Sequence, residues 1–485
     1  MRCVSRLGRR ISNKQRSAGW TAQHFVMTRR SFFFLSLVIG LITGCANEPQ
    51  QASRPELASA PASTALNLIV AGTQPCAAAG GARSQADLAA PRSVAVAPFT
   101  GVLYSEVDMA SVVAGDLAGT GLFMARVVTN LPYRSDVPSQ VDFQSVYAAG
   151  VDAVVLGDLQ KQGNQYATRF YLVDTACGEQ QLGFDMPAAP ANQLRYVGHT
   201  IADLIYTKLT GISGYFNTQI AYVSVVGVND ARRWQLVVAD SDGENPRIIA
   251  ESKEILMSPA WSPDRSRLAY VGYQHGQSAI YIQDLTTGKL RTLVAEPGTN
   301  GAPAWSPDGT RLAVTLSFKT NPDIYVIDIN SGARTRLTSD SAIDAEPTWS
   351  PDGQFIAFTS DRGSSTQIYR VPISGGPATQ LTFEGKQNFR PEYSPDGKTL
   401  LLVNHDGSGY RIGLLDLLSG RLRLISEGPL DQSPSFAPNG AVVIYTASRS
   451  GRSELATVTT DGRIHRSIRL PGADVRDPAW SPYIK

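Results

Sequence analysis

The sequence predicts a multidomain protein, an N-terminal α/β domain followed by a six-bladed β-propeller. Three observations carry this. At 485 residues the chain is too long for one ordinary domain. A proline-led string recurs six times in its C-terminal part at nearly constant spacing, and ahead of those repeats strand-like and helix-like segments alternate.

The first 45 residues read as an export signal. Residues 1–44 hold eight basic side chains and no acidic one, and Met27 to Arg30 lead into an apolar run from Ser31 to Thr43. That run of 13 residues is too short to span a bilayer. The string Leu41 to Cys45 looks like a lipobox, which would acylate Cys45 and make it the new N-terminus; a conventional cut just after Ala46 is the alternative. Thr28 to Phe33 also resembles a twin-arginine signal, but no cofactor motif calls for folding before export, so general secretion is the simpler route. Met27 is a second candidate start. Residues 46–65 are rich in Ala, Ser and Pro and poor in large apolar side chains, which predicts a disordered tether. Beyond residue 44 the chain carries 36 basic and 42 acidic side chains, net −6, with no basic patch interleaved with aromatics. That balance argues against nucleic-acid binding.

Residues 66–214 read as the α/β domain. Ser93 to Phe99 has the pattern of a buried strand, and a helix follows over 105–123, with Ser105 and Asp108 at capping-box spacing and Met109, Val112, Val113 and Leu117 on one face. Strands at 153–159, 166–174 and 181–184 lead to a helix over 194–209 stopped by Gly211. His199 and Asp203 lie four apart on that helix, as metal ligands would, but with no third ligand in view a cap or an interdomain hydrogen bond is the better reading. No metal or cofactor is expected. Cys76 and Cys177, the thiols left besides Cys45 after export, form a candidate disulfide in an oxidising compartment.

Residues 215–485 hold the repeats. The string Pro-Ala-Trp-Ser-Pro-Asp-Gly at 303–309 has counterparts led by Pro259, Pro347, Pro391, Pro434 and Pro478, at spacings of 44, 44, 44, 43 and 44 residues. One such period fits one four-stranded propeller blade. Trp261, Trp305, Trp349, Tyr393, Phe436 and Trp480 offer a ring to each wedge between blades, each burial stabilising by about 2 to 3 kcal/mol. Pro-Asp-Gly makes the turn, so Asp264, Asp308, Asp352 and Asp396 are turn formers rather than a ring of catalytic or metal-binding carboxylates. Residues 219–250 supply three strands without a leading repeat, while the copy at Pro478 has almost nothing after it. The C-terminal strand should therefore complete the blade begun near Gln219 and leave no exposed edge.

From Leu66 onward the chain resembles the TolB family of the Tol-Pal system, through Asp116 to Phe123, Val151 to Leu159, Arg195 to Gly211, the repeat strings and the ending Asp477 to Lys485. The resemblance implies a periplasmic adaptor without catalytic activity that supports outer-membrane integrity and envelope constriction during division. It further implies that the propeller binds the peptidoglycan-associated lipoprotein Pal and that the N-terminal segment, here Leu66 to Gly72, reaches the inner-membrane protein TolA. Family partner contacts fall in the loops before the repeated proline, which selects Thr299, Asn300, Gly301, Ala302, Ala345 and Glu346, with Thr299 standing where a histidine is frequent. By the same geometry Met257, Arg390, Ser433 and Asp477 should rim the channel mouth. A membrane link is expected only through Cys45, to the outer membrane.

The rival readings are a propeller hydrolase or a polysaccharide-binding module. A serine peptidase needs a Gly-x-Ser-x-Gly elbow, which is absent, and a metal-dependent lactonase needs convergent ligands, whereas His199, His275, His405 and His465 fall at unmatched repeat positions.

Overall fold

A computed structural model describes residues 67–68, 91–101, 107–129, 138, 141–318, 321–449, 451–468, 470 and 474–483. The export signal, Cys45, the tether, Cys76 and Ser105 lie outside these residues.

The N-terminal domain is built from β1 (Asn67–Leu68), β2 (Arg92–Val96), α1 (Met109–Gly119), β3 (Phe123–Val127), α2 (Phe143–Ala148), β4 (Ala153–Gln162), β5 (Gln165–Asp174), β6 (Glu179–Pro190) and α3 (Leu194–Thr210). The sheet order is β1-β6-β5-β4-β2-β3, with β2 parallel to both β3 and β4 and the remaining pairs antiparallel. The apolar face foreseen for α1 is buried: Met109, Val112, Val113 and Leu117 all face inward. Met109, Val113 and Leu117 join Ile201 and Ile205 of α3 and the core side of the sheet in one cluster.

Two expectations need correction here. The helix over 105–123 is shorter, starting at Met109 with Asp108 as its N-cap, which accepts the Ser111 amide at 3.2 Å. It stops at Gly119 because the Thr120 hydroxyl bonds back to the Leu117 carbonyl at 2.7 Å and Gly121, at φ +69°, turns the chain into β3. β3 and the short α2, capped by Asp142, escaped the sequence reading because neither is long enough to show a period. Cys177, in the turn between β5 and β6, is disulfide-bonded, and every other cysteine lies outside the described residues.

Six four-stranded sheets form the propeller. Blades 1 to 5 occupy residues 256–294, 300–336, 344–380, 387–424 and 431–468. The sixth pairs the C-terminal strand Asp474–Trp480 with Gln219–Val226, followed by Arg233–Asp240 and Arg247–Ser252. The closure read from the repeats is the closure observed.

The repeat tryptophans are buried in their wedges, and three of them also tie two blades together. The indole N–H of Trp261, Trp305 and Trp349 donates to the carbonyl of Ala479, Ala260 and Ala304 in the preceding blade, at 3.0 to 3.1 Å. Arg267 and Arg311 lie over the rings of Trp305 and Trp349, 4.6 and 5.0 Å from the centroids. The turn aspartates are consumed locally. Asp308 accepts from the Ser306 hydroxyl at 2.5 Å and the Thr310 amide at 3.0 Å, which hold its carboxyl down at about 2, while Gly309 takes φ +69°.

The N-terminal domain and its linker pack on blades 5 and 6. Asn439 donates to the Ser213 carbonyl at 3.0 Å, Tyr483 to the Gly214 carbonyl at 2.7 Å, and Arg195 to Asp240 at 3.1 Å. Asp203 accepts the Phe216 and Asn217 amides at 2.7 and 3.1 Å, so it caps the linker. His199 donates from Nδ1 to Asp116 of α1 at 2.7 Å and turns Nε2 toward Asp240 of the propeller, 3.8 Å away. Burial works against its charge, but Asp116, Asp240 and Asp242 outweigh that and push it up to about 10. Asp116, His199 and Asp242 bring ligand atoms within 4.8 Å of one another, and Arg195 already pairs with Asp240 and Asp242 beside them.

Candidate functional site

The first strand of every blade lines the central channel, and each departs from its ladder at the same point. The pairing shifts register between Met257 and Ala260, Gly301 and Ala304, Ala345 and Thr348, Phe389 and Glu392, Gln432 and Ser435, and Arg476 and Ala479. Each bulge contains the repeat proline, which has no amide hydrogen for the ladder. The residue before each proline takes a left-handed backbone: Ser258, Ala302, Glu346, Arg390, Ser433 and Asp477 all have φ between +46° and +56°. Non-glycine residues rarely accept that conformation, and six at equivalent positions make a built ring of strained residues.

The ring lines a cavity of 150 Å³. Its side chains are joined. Arg390 donates from Nε to Glu346 at 3.2 Å and from Nη1 to Asp477 at 3.1 Å and to Ser433, and Ser433 donates to Asp477 at 2.6 Å. One guanidinium from blade 4 therefore reaches blades 3, 5 and 6. Hydroxyls on the second strands hold the ring backbone: Thr315 accepts the Glu346 amide, Thr359 that of Arg390 and Thr446 that of Asp477, each at 3.1 Å. Burial opposes the charge on Arg390, but Asp477 and Glu346 prevail and hold it protonated. Asp477 is likewise disfavoured by burial yet held below the usual carboxylate range by Arg390 and Ser433. Glu392, just below the ring, is pushed up to about 7 by burial, although it accepts the Phe436 amide at 2.9 Å.

Among the residues selected from sequence, Ala302, Glu346, Arg390, Ser433 and Asp477 come together in this ring. Met257 does not. It pairs with Val271 and packs half-buried on the apolar cluster of blades 1 and 2, and its ring counterpart is Ser258. Counting one residue back from each proline finds Ser258; Met257 is two back. Asn300 is buried, donating to the Ser278 and Glu296 carbonyls at 2.9 and 2.7 Å, so it holds a loop and offers no free surface. Asp344, Asn388 and Asp431 do the same work in the next three blades; Asp344 binds Ser360 and Arg362 at 2.6 Å each. Thr299, Gly301 and Ala345 are half-buried on the approach to the ring.

Two family models match the chain, the TolB amino-terminal domain over residues 85–181 and the TolB beta propeller domain over 206–484. The chain belongs to the TolB family. It is 58% identical to the Tol-Pal system protein TolB of Methylococcus capsulatus over 389 residues, covering 80% of this chain and 91% of that relative. Its identity to the protein of the same name from Thioalkalivibrio sulfidiphilus is 55% over 379 residues, 78% of this chain and 87% of the relative. The crystal structure of TolB from Acinetobacter baumannii superposes with a TM-score of 0.75 at 36% identity, covering 81% of this chain and 97% of that one. Family members are thus Tol-Pal components of the cell envelope. Among the described residues no helix is long and apolar enough to cross a membrane.

Proposed function

We propose that this protein is a non-catalytic periplasmic adaptor that binds a Pal-like lipoprotein at the channel mouth and a TolA-like inner-membrane protein through residues 66–72, and so supports envelope integrity and constriction. The observation that carries the reading is the ring itself. Six strained residues converge on one cavity and their polar groups are bound to one another, an arrangement suited to recognition of a partner's side chains rather than to bond chemistry. The ring lies at one end of the channel, and the N-terminal domain packs on blades 5 and 6. For the TolA-like partner the support is the edge position of β1: among the described residues Asn67 and Leu68 pair with β6, opposite Asp185 and Phe184, as the outermost strand of the sheet, which a partner's strand could replace. Cys45 as a lipid anchor and Cys76 as the disulfide partner of Cys177 belong to the same proposal. Affinity capture from envelope extract with the full chain tests it: recovery of a Pal-like lipoprotein from wild type but not from Glu346→Lys supports the reading, and equal recovery by both removes the mouth as the site.

A further inference from the structure

The ring is not uniform around its circumference. The order of the blades sets Ser258 and Ala302 side by side, with Asp477 before them and Glu346 after; the Ser258 amide lies 3.3 Å from the Asp477 carboxylate. On this arc the side chains are short. On the opposite arc Arg390 is extended across the channel with Ser433 beside it, and both carboxylates reach toward its guanidinium. Two carboxylates thus share one cation, and the ring carries a net charge of −1, with its shortest side chains, Ser258 and Ala302, on the arc away from blades 4 and 5. The carboxylates remain partly exposed, Glu346 by 30% and Asp477 by 13%, and each accepts three hydrogen bonds, Glu346 also from the Thr359 hydroxyl at 2.8 Å and the Arg390 amide at 3.0 Å, which leaves each about one further acceptor position. Beneath them Glu392 adds a further carboxyl, and among the described residues that line the pocket Arg390 is the one cation. A second positive group in the open arc would bring the cluster to neutrality with charges alternating around the ring, whereas an incoming carboxylate would meet an excess of its own sign.

We propose that the arc over Ser258 and Ala302 receives a lysine or arginine side chain of the docking partner, held between Glu346 and Asp477. This rests on the reading of the mouth as the partner site. The small side chains of the arc leave room for such a chain, and the charge selects it over an acidic or apolar one.

The test is a pair of isosteric variants, Ser258→Asp and Ser258→Asn, both residue types that tolerate the left-handed backbone, titrated calorimetrically with the Pal-like lipoprotein. Added negative charge should make the Asp variant bind about threefold or more tighter than the Asn variant, with the difference shrinking from about 50 mM to about 500 mM NaCl. Equal affinities, or tighter binding by the Asn variant, overturn the inference while wild-type binding leaves the mouth itself in place. Absence of binding by folded wild type removes both. Ala302→Asp and Ala302→Asn give the same comparison should the first pair fail to fold.

Discussion

Two charged clusters lie at the domain junction and at the channel mouth, and each sets a cation between carboxylates, the junction with Arg195 as a second one. At the domain junction His199 joins Asp116 to Asp240, with His199 and Asp116 each only 3% exposed. At the channel mouth Arg390 joins Glu346 to Asp477, at 28%, 30% and 13% exposure. The His199–Asp116 pair is sealed, whereas Asp240 at its propeller side is 21% exposed and is shared with Arg195. The mouth faces a cavity, and its backbone is strained in a way that stability alone does not require. Burial of the His199–Asp116 pair, and strain at the mouth, separate a fastening from a receptor built with similar chemistry.

The largest effect should come from breaking the sealed pair. His199→Leu leaves Asp116 buried without its partner and should destabilise the protein by about 3 to 5 kcal/mol in urea unfolding, while binding at the mouth by the folded fraction is unchanged. Glu346→Lys should do the reverse. It faces Arg390 with a like charge at the centre of the proposed contact, and calorimetry should show a loss of about 1 to 3 kcal/mol in binding of the Pal-like lipoprotein without loss of the folded state. Ala302→Trp should weaken binding to a similar extent by filling the arc.

A smaller effect follows from protonation. The folded protein holds His199 up to about 10 against an ordinary 6.5, so its stabilising contribution is complete below pH 6.5 and is lost as pH rises through 10. Thermal unfolding of wild type should therefore approach that of His199→Gln as pH climbs across that window; parallel curves would deny the junction its charge. Smallest of all, Asp308→Asn should cost less than about 1 kcal/mol, because that carboxylate only closes an exposed turn.

The repeats made the propeller legible, because prolines at near-constant spacing report blade number, closure and turn chemistry together. α3 was legible from its period and from Gly211, which takes φ +75° at its C-cap. β3 and α2 were not, being set by packing against β2 and β4 rather than by any local pattern. At the mouth, the pre-proline position placed Ala302, Glu346, Arg390, Ser433 and Asp477, whereas Ser258 was passed over for Met257. Nothing in sequence distinguishes Asn300, buried in its loop, from an exposed contact residue, because both roles favour a polar side chain before the strand. The joining of His199 to Asp116, 83 positions apart, needed the fold.

Hydrogen exchange of the full chain with and without the Pal-like lipoprotein tests the division of labour most directly. The account expects added protection in peptides spanning Ser258, Ala302, Glu346 and Arg390, centred on the ring. Protection confined to the N-terminal domain, with the mouth peptides unchanged in a saturated complex, would contradict it.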